Sequence, residues 1–202
     1  MHIAQTHPAR RRIPGLIVAV ALAAAFAVQP AVAQPARNAS APDLPSGRAN
    51  DSASQMQRAD QALLRDIAQA NLAEIATATI ALDKSKNEQI RKFAQQMIDD
   101  HGAAMKDVQQ LAQAKGVSPL PDEPDLKHKT MALALKAMSG DTFDKQYMSQ
   151  AGVGDHQRTH DLLQKTQRQA KDADLKALAT KMIPVVHGHL TEAQQMTPAP
   201  KR

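Results

Sequence analysis

Apolar residues recur every three to four positions along residues 57–196, the spacing that places them on one face of an α-helix. No stretch of this region alternates apolar and polar residues in the manner of a half-buried strand. The pattern predicts an all-α domain with one short helix near 126–138 and four long helices, at about 57–83, 87–115, 141–170 and 172–196.

The predicted helix ends carry the residues that favour them. Asn87 is placed to cap the second long helix, and Gly116 follows its last apolar position, where a left-handed residue commonly ends a helix. Gly152 and Gly154 fall inside the third long helix, where glycine lowers helix propensity by up to about 1 kcal/mol each. We therefore expect a bulge or a close backbone approach at these two glycines.

Loop lengths indicate how the helices are connected. About four residues join the first long helix to the second and the third to the fourth, so each pair is predicted to form an antiparallel hairpin. Residues 117–140 join the two hairpins and include the short helix. A long crossover between two hairpins predicts a ferritin-like four-helix bundle.

The two ends of the chain are predicted to lie outside this bundle. Residues 1–33 contain a basic segment, an apolar run and an Ala-Val-Ala cleavage motif, which together are typical of a signal peptide and predict a periplasmic protein. Residues 34–56, rich in Pro, Ala, Ser and Gly, predict a flexible linker. Residues 197–202 predict a disordered tail.

Charge and composition restrict the functional classes. Removal of residues 1–33 leaves 22 basic against 20 acidic residues, and aromatic side chains remain only at Phe93, Phe143 and Tyr147. The sequence therefore predicts no nucleic-acid partner, because no basic patch with interleaved aromatics remains. The chain has no cysteine, which excludes disulfides and thiolate metal ligands. No transmembrane segment is predicted in the mature chain.

Four ionisable residues interrupt the apolar faces of the four long helices, one on each: Glu74, His101, His156 and His189. Each lies near the middle of its helix when positions are converted to height at a rise of about 1.5 Å per residue. The four side chains are therefore predicted to converge at mid-bundle. Asp100 and Asp155 precede two of the histidines and are candidates as further ligands or as acceptors that orient the imidazole rings.

Two interpretations of this polar layer remain open. In one, the six residues hold a transition metal ion, for which imidazole and carboxylate donors suit Zn, Fe, Mn or Cu. In the other, they form a hydrogen-bonded layer that fixes the helix register without an ion. A di-iron oxidase is improbable, because Ile98, Val153 and Val186 stand where Glu-x-x-His motifs would place glutamate. The methionines at helical spacing, Met97 among them, are interpreted as core filler.

Four separated motifs, NLAEIATATIAL, FAQQMIDDH, FDKQYM followed by DH, and KMIP followed by HL, resemble the exported bacterial family catalogued as domain of unknown function 4142. The resemblance covers about residues 57–196. It implies a ferritin-like fold and an envelope location, and it supplies no established reaction. The positions that match those typical of the family are Glu74, Asp100, His101, Asp144, Tyr147, Asp155, His156 and His189, whereas Gly152-Val153-Gly154 departs from the larger apolar residues expected.

The sequence therefore predicts an exported helical bundle with a mid-bundle His/carboxylate metal site and no identifiable catalytic residue. The alternative function is a structural or interaction module of the cell envelope, which would bind an envelope protein partner while its buried His/Asp layer served only the fold.

Overall fold

The computed structural model describes residues 55–197, which contain six α-helices, one π-helical segment and no strand. The predicted signal peptide lies outside the described residues, as do the linker up to residue 54 and the tail after Thr197. None of the described helices combines the length and the apolar character needed to cross a bilayer. The elements are α1 (Arg58–Lys84), α2 (Glu88–Lys115), α3 (Leu126–Lys136), α4 (Gly140–Tyr147), the π segment (Met148–Asp155), α5 (His156–Gln169) and α6 (Ala173–Met196).

The predicted ferritin-like four-helix bundle is confirmed. Helices α1 and α2 form one hairpin through residues 85–87, and α5 and α6 form the other through residues 170–172. Helix α4, the π segment and α5 follow one another without a break and make up the third long helix of the prediction. The crossover between the hairpins carries the short helix α3.

The helix ends follow the local signals in the sequence. The side chain of Asn87 accepts hydrogen bonds from the backbone N–H groups of Gln89 and Ile90, and Asp172 caps α6 in the same way. Gly116 ends α2 with a φ of 65°, a left-handed conformation that glycine adopts without steric cost. These helix ends are thus set by residues that act within one helical turn.

The π segment contains the two glycines at which a distortion was expected. A Cβ atom added at Gly152 would lie 3.2 Å from the Cβ of Ala193 on α6 and 3.0 Å from the Cε of Met148. The glycine therefore permits a close approach between this segment and α6. Each π turn holds more residues than an α turn, so the segment also changes the rotational position of every residue after it.

Two apolar clusters fill the bundle at different heights. The first includes Leu64, Val108 and Leu175, and the second includes Phe93 and Tyr147. Along each long helix the chain passes from one cluster to the other through the level of Glu74, His101, His156 or His189, all of which are buried. The polar layer is thus enclosed between two apolar layers, where a charge without a partner is costly.

A buried carboxylate at the first turn of α1 joins the two hairpins. Asp60 Oδ2 accepts hydrogen bonds from the backbone N–H groups of Lys171, at 2.8 Å, and Asp172, at 2.7 Å. We expect Asp60→Ala to lower the free energy of unfolding by about 2–3 kcal/mol, because it leaves two amides without their charged acceptor. Denaturant unfolding measures the effect. Asp66→Ala, at an exposed position of the same helix, is the control, and equal losses for the two variants would contradict the prediction.

Candidate metal centre

Three buried imidazole rings meet at mid-bundle. His101 on α2, His156 at the start of α5 and His189 on α6 each offer one ring nitrogen, and these three atoms lie within 4.8 Å of one another. The ring centroids are 5.3–5.5 Å apart. Glu74 on α1 reaches the same point, so the predicted convergence of one side chain from each long helix is observed.

His156 is held by the π segment. Its Nδ1 lies 2.9 Å from the carbonyl oxygen of Ala151, and it must donate this hydrogen bond because a carbonyl has no proton to give. The neutral tautomer with this hydrogen bond presents a lone pair at Nε2. That nitrogen faces two further acceptors, the Sδ of Met97 at 3.1 Å and the Oε2 of Glu74 at 3.3 Å.

His101 is oriented from α1. Asn71 donates its Nδ2 to the carbonyl of Ile67 at 2.7 Å, which turns its Oδ1 toward His101 Nδ1 at 3.0 Å. His101 Nδ1 therefore donates, and Nε2 points to the centre of the bundle. The distance from His101 Nε2 to Glu74 Oε2 is 2.5 Å, so the carboxylate lies directly against the ring.

His189 is oriented from α2. Its Nε2 donates a hydrogen bond to Asp100 Oδ2, at 2.9 Å. The other nitrogen, Nδ1, is buried and has no hydrogen-bond partner among residues 55–197. All three rings are thus fixed through one nitrogen by an oxygen acceptor, an arrangement that commonly orients metal-binding histidines.

Glu74 supplies the negative charge of the layer. Its Oε1 accepts a hydrogen bond from the Thr159 hydroxyl at 2.7 Å. Burial alone would raise the pKa of Glu74, but attraction to His101 and His156 and the hydrogen bonds it receives outweigh burial and lower the pKa to about 2. Glu74 is therefore ionised at neutral pH.

The same electrostatics act differently on two of the rings. Burial lowers the pKa of His101, but the neighbouring Glu74 carboxylate has the larger combined effect and raises it. Burial lowers the pKa of His189, and Asp100 offsets this only in part. The Glu74 carboxylate therefore favours a positive charge on His101, whereas the surroundings of His189 favour its neutral form.

The two candidate aspartates occupy different places. Asp100 stands behind His189, with 41% of its side chain exposed. Asp155 points away from the three rings, pairs with Arg158 and lies 3.9 Å from His128 Nε2 on α3. Burial raises the pKa of Asp155. The structure thus brings five of the six predicted residues together and places Asp155 outside the group.

A cavity between α2 and α6 reaches His101, one of the three rings. This cavity of about 150 Å³ is lined by Asp100, His101, Met182 and Val186, among others. The ion pair between Lys181 Nζ and Asp107 Oδ2, at 2.7 Å, lies along the same cavity. The partly exposed Asp100 carboxylate therefore faces both solvent and His189, which suits the passage of a cation.

Three residues of the site were not among the sequence candidates. Met97 was interpreted as core filler, although it lies four residues before His101 and therefore on the same helix face. Asn71, three residues before Glu74, is a second polar residue on the buried face of α1, and Thr159 follows His156 by three residues. The spacing to a known candidate was the available signal in all three cases.

The fold and the site define an all-α four-helix bundle with a buried His-rich centre capable of holding a metal ion. The chain belongs to the family described as domain of unknown function (DUF4142), which matches residues 45–196. The resemblance noted from the four motifs is thereby confirmed. No curated protein matches the chain.

Two solved structures share the fold. A DUF305 fragment from Deinococcus radiodurans is 12% identical, with a TM-score of 0.62, over 70% of this chain and 96% of that one. A structure described as "CopM in the Cu(I)-bound form" is 19% identical, with a TM-score of 0.56, over 68% of this chain and 94% of that one. At these identities the likeness supports the helical fold.

Proposed function

We propose that this protein binds one transition metal ion at mid-bundle through His101, His156 and His189, with Glu74 as the neighbouring carboxylate. One observation carries the proposal: each ring is fixed through one nitrogen by an oxygen acceptor, and the ligand atoms of the three rings lie within 4.8 Å of one another. Asp100 orients His189 and lines the cavity between α2 and α6, through which the ion enters.

A purely structural polar layer accounts less well for this geometry. Such a layer gains stability by matching donors to acceptors. Here His156 Nε2 faces a thioether sulfur and a carboxylate oxygen, neither of which has a proton to donate. His189 Nδ1 has no hydrogen-bond partner in the part of the chain that the structure describes. A cation at the centre interacts favourably with all of these acceptors.

The proposed role is binding rather than oxidative catalysis. The buried group contains the single carboxylate Glu74, whereas coupled di-iron bundles use glutamates from several helices. The predicted signal peptide supports a site of action in the periplasm. The similar fold of a copper-bound bundle agrees with a metal-binding role.

Metal titration of the chain, purified without a polyhistidine tag and stripped with a chelator, tests the proposal. We expect one equivalent of a transition metal to bind, measured by elemental analysis after gel filtration. The melting temperature should rise, because a ligand at 100 times its dissociation constant stabilises the folded state by about 2.7 kcal/mol.

Calcium and magnesium provide the control for this titration, since imidazole donors suit neither ion. They should change neither the stoichiometry nor the melting temperature. The layer would instead be structural if the protein retained no transition metal and its melting temperature stayed the same with every ion added.

A further inference from the structure

We infer that Met97 is a fourth ligand of this site and that the site selects copper in the cuprous state, Cu(I). The inference rests on the proposed metal site and adds to it the identity of the ion. The sulfur of Met97 lies against the Nε2 of His156 and does not pack against apolar side chains alone.

The sulfur has the geometry of a ligand. Met97 Sδ is 3.1 Å from His156 Nε2, and Met97 is almost completely buried. Donors bound to one tetrahedral ion at about 2.0–2.3 Å are separated from one another by roughly 3.3–3.8 Å. The contacts from His156 Nε2 to the sulfur and to Glu74 Oε2, at 3.1 and 3.3 Å, are close to this range.

Two acceptor atoms at this distance repel unless a cation lies beside them. His156 Nδ1 is committed to the Ala151 carbonyl, so Nε2 has a lone pair to offer. The thioether of Met97 likewise offers only lone pairs in such a contact. A metal ion that binds both atoms turns the unfavourable contact into two bonds.

The donor set discriminates among ions. Thioether sulfur is a soft ligand that suits Cu(I). The divalent ions Zn(II), Fe(II) and Mn(II) gain less from it, because a thioether is uncharged and lacks the anionic charge of a thiolate or carboxylate. Imidazole also suits copper. Three imidazoles with one thioether therefore favour Cu(I) over the other ions that histidine and carboxylate alone would accept.

The charge of the buried layer agrees with a monovalent ion. Glu74 is the fully buried carboxylate at the three rings, and Asp100 is partly exposed. A Cu(I) ion beside Glu74 makes the buried layer neutral, whereas a divalent ion leaves one uncompensated positive charge there. Uncompensated charge is costly between two apolar layers.

The test compares Met97→Leu with Met105→Leu, a second buried methionine of α2. Both changes keep side-chain volume nearly constant, so the fold should tolerate them. Cu(I) affinity is measured without oxygen by competition with a chromogenic Cu(I) chelator, and Zn(II) affinity by competition with a zinc indicator. We expect Met97→Leu to weaken Cu(I) binding at least tenfold and to change Zn(II) binding less than twofold. Met105→Leu should change neither.

X-ray absorption on the Cu(I)-loaded wild-type protein gives a readout that does not depend on a folded variant. We expect both sulfur and imidazole scattering around copper. Absence of sulfur scattering, or unchanged Cu(I) affinity in Met97→Leu, would overturn the role of Met97 while leaving the metal site in place. Failure of the wild-type protein to bind any transition metal would overturn the proposed function itself.

Discussion

Replacement of His101 and His189 by alanine in the same protein is expected to abolish stoichiometric metal binding. The double variant removes two of the three imidazole donors. Loss of a residue that merely orients a ligand typically costs 10–100-fold in metal affinity, so loss of two ligands should exceed about 100-fold. Elemental analysis after gel filtration measures the bound metal, and circular dichroism establishes that the variant is folded.

A second pair of histidines offers a matched control. His160 on α5 and His187 on α6 have ring centroids 5.6 Å apart and lie outside the buried polar layer. The His160→Ala, His187→Ala protein loses the same number of imidazoles and should keep its buried metal. If the control pair loses the metal and the His101/His189 variant retains it, the site has been assigned to the wrong histidines.

Replacement of Glu74 by glutamine is expected to destabilise the metal-stripped protein by about 3–5 kcal/mol near pH 6, the usual cost of removing one partner from a buried ion pair. The change leaves His101 without the carboxylate that lies 2.5 Å away. Denaturant unfolding in the presence of a chelator measures the loss. Asp66→Asn, an exposed carboxylate of the same helix, should alter stability far less.

The effect of Glu74→Gln should depend on pH in a defined direction. The folded-state pKa of Glu74 is about 2, below its usual 4.5, so its contribution is present above pH 4.5 and is lost as the pH falls toward 2. The folded-state pKa of His101 is raised above 6.5, so its contribution is present below pH 6.5 and is lost as the pH rises through the folded value. The two proteins should therefore differ most between about pH 4.5 and 6.5. A difference that stays constant from pH 2 to pH 9 would contradict the ion-pair explanation.

Much of the fold could be predicted because the relevant signals are local. A period of three to four residues predicted the helices, and Asn87 and Gly116 marked the ends of α2. Loop lengths then restricted the topology to two hairpins with a crossover. Each of these signals acts over a few residues, so the amino acids close to a helix or loop in the sequence are enough to predict it.

The candidate site could be predicted in position but not in detail. Counting residues along each helix placed Glu74, His101, His156 and His189 at one height, because helix rise is nearly constant. It could not separate Asp100, which reaches His189, from Asp155, which turns toward Arg158. That difference depends on how each helix is rotated about its axis, and the π segment changes this rotation immediately before His156.

The amino-acid sequence by itself determined the helices, their ends, their pairing into hairpins, the family, and the level at which polar side chains enter the core. These properties depend on helical period, capping and chain length. Only the tertiary structure decided which nitrogen of each imidazole faces inward, that the sulfur of Met97 contacts His156 Nε2, and that Asp155 pairs with Arg158. The physical reason is that donor direction and contact distance depend on side-chain rotamers and on packing between helices that are distant in sequence.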